Sequence, residues 1–72
     1  MYGKILRRER LKHQLTQVEI GEKIGRSKQW VSELERGNIR LNVDVAVALA
    51  SILDVAVDVF FPHKSKKNGK VV

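Results

Sequence analysis

Seventy-two residues leave room for one domain, and a chain of this size buries only about 60% of the surface its unfolded form exposes, so the core is small. The absence of cysteine excludes disulfides and thiolate metal sites, and stability has to come from helix packing or from burial against a second subunit. The net charge of +6 is unevenly placed: residues 62–72 carry Lys64, Lys66, Lys67 and Lys70 with no acid, which leaves the remainder at +2, a weakly basic body with a basic end that suits a polyanionic partner.

Apolar residues recur at helical spacing, no segment alternates as a strand does, and the one proline, Pro62, follows the last apolar segment, so the expected fold is all-α. A first helix spans Tyr2 to His13, with Leu6 and Arg10 in register. Thr16 followed three residues later by Glu19 forms a capping-box pattern, and Leu15 with Ile20 can staple the start of a second helix, Gln17 to Ile24. Gly25 ends that helix because it adopts the left-handed conformation without steric cost. Ser27 caps a third helix, Lys28 to Arg36, closed by Gly37. Asn42 caps a fourth helix running to Leu53, and Val57 to Phe61 makes a short fifth. The longest nearly apolar stretch, Val43 to Leu53, contains Asp44 and Ser51 and is too short to span a bilayer. With no apolar signal region at the N-terminus, a cytoplasmic location without membrane contact is expected.

Helices two and three are joined by only Gly25, Arg26 and Ser27, a turn that lets the second cross the first steeply. Gly21 provides the small residue that such a crossing needs. With Ile20, Ile24, Val31 and Leu34 turned inward, the outer face of helix three displays Lys28, Gln29, Ser32 and Glu33. A B-DNA major groove admits an α-helix, and these side chains match the donors and acceptors on base edges.

The segment LTQVEIGEKIGRSKQWVSELERG, Leu15 to Gly37, and more weakly LASILDVAVDVFF, Leu49 to Phe61, resemble the phage-repressor and Cro-like helix-turn-helix family, also called the xenobiotic-response-element type. The resemblance covers most of residues 5–61. It implies a compact five-helix, lambda-repressor-like DNA-binding domain with the helix-turn-helix at helices two and three. Residues 1–61 then form the domain and 62–72 a basic flexible tail, read either as a solvated end or as a further phosphate contact. The implied base-reading positions are Lys28 for guanine, Gln29 for adenine, Ser32, and Glu33 for the amino group of cytosine. Glu33 can instead pair with Lys28 or Gln29. Gln17 is implied as a phosphate contact at the first turn of helix two, with Arg26, Ser27, Trp30, Arg36, Asn38 and Arg40 along the DNA backbone. Trp30 can equally cover helix four. Some family members pair an arginine of helix one with a glutamate of helix three inside the domain, and Arg10 and Glu35 occupy those positions. The pattern is departed from at Glu9, where an aliphatic is common, at Gln14, where glycine often stands, and at Arg26.

The resemblance implies double-stranded DNA as partner and a transcriptional regulator, a repressor or a controller protein, acting as a homodimer on a palindromic operator. No cofactor, metal or small-molecule ligand is implied. An enzyme is disfavoured by the lack of a thiol nucleophile, paired metal-binding histidines or a phosphate-cradling loop. A protein-interaction adaptor or antitoxin-type partner with the same fold is the alternative. The fourth helix is apolar on all sides, a pattern normal for a helix buried all round. The stripe Val43, Ala46, Val47, Ala50 and Leu53 is assigned to the core with Phe60. Val45, Ala48, Leu49 and Ile52, continuing to Ala56 and Val59, are assigned to the dimer interface, which would set two copies of helix three at half-sites about 34 Å apart.

Overall fold

A computed structural model of the protein describes residues 2–61, so the expected basic tail, residues 62–72, lies outside the described residues. Four α-helices and a 3-10 helix follow in order: α1 (Tyr2–Lys12), α2 (Gln17–Ile24), α3 (Lys28–Glu35), α4 (Val43–Leu53), and the 3-10 helix Val57–Phe60. No strand occurs among the described residues. The last element is thus a single tight turn rather than a fifth α-helix, and it packs on both α1 and α4. Its Phe60 ring is inserted into the core.

The starts of α2, α3 and α4 each have a side-chain cap. The Thr16 hydroxyl accepts from the Glu19 N–H at 3.0 Å while the Glu19 carboxylate accepts from the Thr16 N–H at 2.8 Å. Ser27 Oγ accepts from the Trp30 N–H, and Asn42 Oδ1 from the Val45 N–H. The ends differ slightly from expectation. Helix α1 stops at Lys12, because Gln14 takes a left-handed φ of 57° at the position where the family often has glycine, and His13 falls in the turn. Helix α3 stops at Glu35, with Arg36 as its C-cap.

The core is Leu6 of α1, Ile20 of α2, Val31 and Leu34 of α3, Leu41, and Val45, Ala46, Leu49, Ala50 and Leu53 of α4, closed by Phe60. This corrects the register of α4. Val45 and Leu49, expected at a subunit contact, are core residues, whereas Val43 and Val47, expected in the core, are 67% and 52% exposed. The physical reason is visible in the two polar residues of the helix. Asp44, Val47 and Ser51 fall at i, i+3 and i+7, so the stripe that carries the solvated aspartate and serine also carries Val47 outward.

Two contacts of α1 set its distance from α3. Gly3 lies so close to the end of α3 that a methyl group on it would collide with the carbonyl oxygens of Glu35 and Leu34, the latter at 2.7 Å. The Tyr2 hydroxyl donates to the Ile39 carbonyl at 2.7 Å and so ties the loop after α3 to the first turn of α1.

Candidate nucleic-acid interface

The α2–α3 crossing is as tight as the turn allows. A methyl on Gly21 would stand 2.5 Å from the Arg26 carbonyl oxygen, so the turn backbone passes directly over that residue. Gly25 takes φ 72°, and the Arg26 N–H returns to the Gly21 carbonyl at 2.8 Å, which ends α2 and turns the chain into Ser27. Val31 and Leu34 then anchor α3 in the core, with no exposed surface, and fix which face looks outward.

On that outer face Lys28 and Gln29 are exposed, Ser32 is half-buried, and none of the three side chains has a hydrogen-bonding partner among the described residues. Glu33 is different. Its carboxylate accepts from Asn38 Nδ2 at 2.7 Å and lies 3.5 Å from Arg36 Nη1, so it binds the turn after α3 rather than Lys28 or Gln29. Trp30 is partly buried against the core, and the Arg26 guanidinium stacks over its ring, 4.9 Å from the centroid. Arg26 is therefore held flat against the start of α3. Ser27 Oγ is used as a cap acceptor but keeps its own proton to donate. Arg36, Asn38 and Arg40 are all exposed in the loop that follows.

Gln17 stands at the first turn of α2, where the backbone N–H groups lack intrahelical acceptors and attract anions. Its side-chain amide also donates to Glu35 Oε1 at 3.0 Å. That same carboxylate is gripped by Arg10 through two nitrogens, Nε at 2.6 Å and Nη2 at 3.1 Å, while Arg10 Nη1 donates to the Leu15 carbonyl at 2.9 Å. The Arg10 and Glu35 side chains are only 9% and 5% exposed. One buried carboxylate thus joins α1, the α1–α2 turn, the first turn of α2 and the last turn of α3. The sequence pattern indicated the arginine and glutamate but not the amide of Gln17.

Sequence reasoning also missed Gly3 and Tyr2, whose contacts place α1 and the loop bearing Arg40. Neither carries a local signal, since both act on residues more than thirty positions away. Glu9, noted as unusual, is buried along its stem with its carboxylate between Arg8 at 3.2 Å and Lys12 at 3.5 Å, an acid where an aliphatic side chain is common.

Two short capped helices crossing over a glycine turn, the second buried on one side and polar on the other, define a helix-turn-helix protein. Residues 2–60 match the helix-turn-helix domain family, and the chain belongs to it. Among solved structures, the crystal structure of the P22 c2 repressor protein in complex with synthetic operator 9T in the presence of Tl+ is similar at 27% sequence identity and a TM-score of 0.77, covering 83% of this chain and 91% of that one. The resemblance to phage repressors read from the sequence agrees with both findings. No curated protein matches the chain.

Proposed function

We propose that this protein is a sequence-specific, non-enzymatic DNA-binding regulator of transcription that inserts α3 into the major groove and acts in the cytoplasm as a homodimer on a palindromic operator. The observation that carries this is the pairing of opposite faces on α3. Val31 and Leu34 are fully buried, and Lys28, Gln29 and Ser32 stand opposite them without partners among the described residues, ready to exchange water for base edges. The likeness to a repressor crystallised with operator DNA supports the same reading.

Lys28, Gln29 and Ser32 read bases. Gln17, Ser27, Arg26, Trp30, Arg36, Asn38 and Arg40 hold the sugar-phosphate strands, and Glu33 stays beside them as the tie of the Asn38 turn. Residues 1–61 act as the DNA-binding domain, and the lysines of residues 62–72 add sequence-independent attraction. Among the described residues no helix is long and apolar enough to cross a membrane, which is compatible with such a role. The subunit contact is formed by Ala48, Ile52, Ala56 and Val59, of which Ile52 and Val59 pack on the edge of the core and keep part of their surface exposed.

The test is selection of a binding site from random duplexes followed by Gln29→Ala. The variant should lose roughly 1 to 3 kcal/mol on the selected site and relax its preference at one base pair. An unchanged preference would remove α3 from the groove.

A further inference from the structure

Between the C-terminal half of α1 and the first turns of α2 and α3 runs a groove whose rim includes Arg7, Leu11, Gln17 and Lys28. A second groove along the outside of α1 shares Arg7 and Leu11 with it and extends to Lys4. Among the described residues no aspartate or glutamate lines either groove. The cations on α1 are not equivalent, however. Arg8 and Lys12 both lie on the Glu9 carboxylate, whereas Arg7 and Lys4 form no ion pair or hydrogen bond among the described residues.

We infer that Arg7, a residue of α1 outside the helix-turn-helix, is a DNA phosphate contact and that Lys4, one turn before it, continues the same track. The inference rests on the DNA-binding reading above, since Gln17 and Lys28 belong to that interface and Arg7 shares their groove. A duplex seated with α3 in its major groove and one strand on Gln17 carries its sugar-phosphate chain along this rim, past Arg7. There a guanidinium unpaired among the described residues meets phosphate oxygens, while the neighbouring carboxylates are already engaged, Glu35 by Arg10 and Gln17 and Glu9 by Arg8 and Lys12. Because α1 does not enter the groove, the contact positions the protein and carries no sequence information. It lengthens the footprint of each subunit beyond the bases that α3 reads.

The experiment measures duplex affinity of the full chain by fluorescence anisotropy between 50 and 200 mM salt, on the selected site and on an unrelated duplex. Each phosphate contact steepens the loss of affinity over this range by about threefold. Arg7→Gln should therefore show a threefold shallower loss on both duplexes with an unchanged melting transition, Arg7→Lys should restore the wild-type slope, and Arg8→Gln, the same charge change on a Glu9-paired residue, should follow wild type. A wild-type slope in Arg7→Gln, or an equal change in Arg8→Gln, overturns the inference and leaves α3 binding intact. A wild-type chain that binds neither duplex overturns the DNA-binding reading itself.

Discussion

Helices α2 and α3 are eight residues each, too short to persist alone, and are delimited by groups that act locally: a capping box at Thr16, a left-handed glycine at Gly25, a serine cap at Ser27. What joins them to the rest is three buried aliphatics and one buried polar tie, Arg10 with Glu35 and Gln17. Helix α4 has a single side-chain cap at Asn42 and turns five apolar residues inward. The difference follows from what each has to do. A helix that must offer bare polar groups to a partner cannot be held by burying its whole circumference, so it is placed by caps and a directional ion pair. A scaffold helix is placed by area alone, and area says nothing about which apolar stripe is chosen.

The largest expected effect breaks the polar tie. Arg10→Ala leaves the Glu35 carboxylate buried without its main partner and should cost about 3 to 5 kcal/mol in urea unfolding. Replacing both, Arg10→Met with Glu35→Leu, should recover much of that loss, because no uncompensated charge then remains. If Arg10→Ala costs under about 1 kcal/mol, the tie does not place α3 and the contrast between the two regions collapses.

The next effect concerns α4. Leu49→Ala should cost about 2 to 5 kcal/mol through the cavity it leaves, and Val47→Ala at most about 0.5 kcal/mol. The reverse order would restore the stripe that the sequence pattern favours. In the same series Ile52→Asp should give a folded chain that sediments as a monomer and binds its operator more weakly, with Val47→Asp still dimeric. A wild-type chain that is monomeric at high micromolar concentration would remove the proposed subunit contact.

These two regions were unequally legible for the same reason that they are held differently. Thr16, Glu19, Ser27, Gly25 and Asn42 act on neighbours within five residues, so the starts of α2, α3 and α4 and the end of α2 could be placed from spacing. The outward face of α3 followed once Val31 and Leu34 were set inward. In α4 nine of eleven residues are apolar, and the discriminating signal was the minority, Asp44 and Ser51, rather than the aliphatics. The close approach of Gly3 to the end of α3 and the bond from Tyr2 to Ile39 depend on how α1 meets a segment far along the chain, which no local pattern encodes.

The smallest effect tests where the interface-forming region ends. Glu33 sits on the outer face of α3, yet its carboxylate is occupied by Asn38 at 2.7 Å and by Arg36, and its side chain is still 42% exposed. An exposed pair of this kind contributes about 0 to 1 kcal/mol, so Glu33→Gln, whose amide oxygen can still accept from Asn38, should change stability by about 0.5 kcal/mol or less. Its effect on DNA is electrostatic. Removing a carboxylate from beside Arg36, a proposed phosphate contact, should raise affinity for every duplex by a similar factor and leave the preferred bases as they were. A tie to the turn and a reader of cytosine make opposite demands on that carboxylate, since lone pairs engaged by Asn38 are not available to a base amino group. A Glu33→Gln variant that loses preference at one base pair, with non-specific affinity unchanged, would return Glu33 to the reading set and show that DNA displaces Asn38.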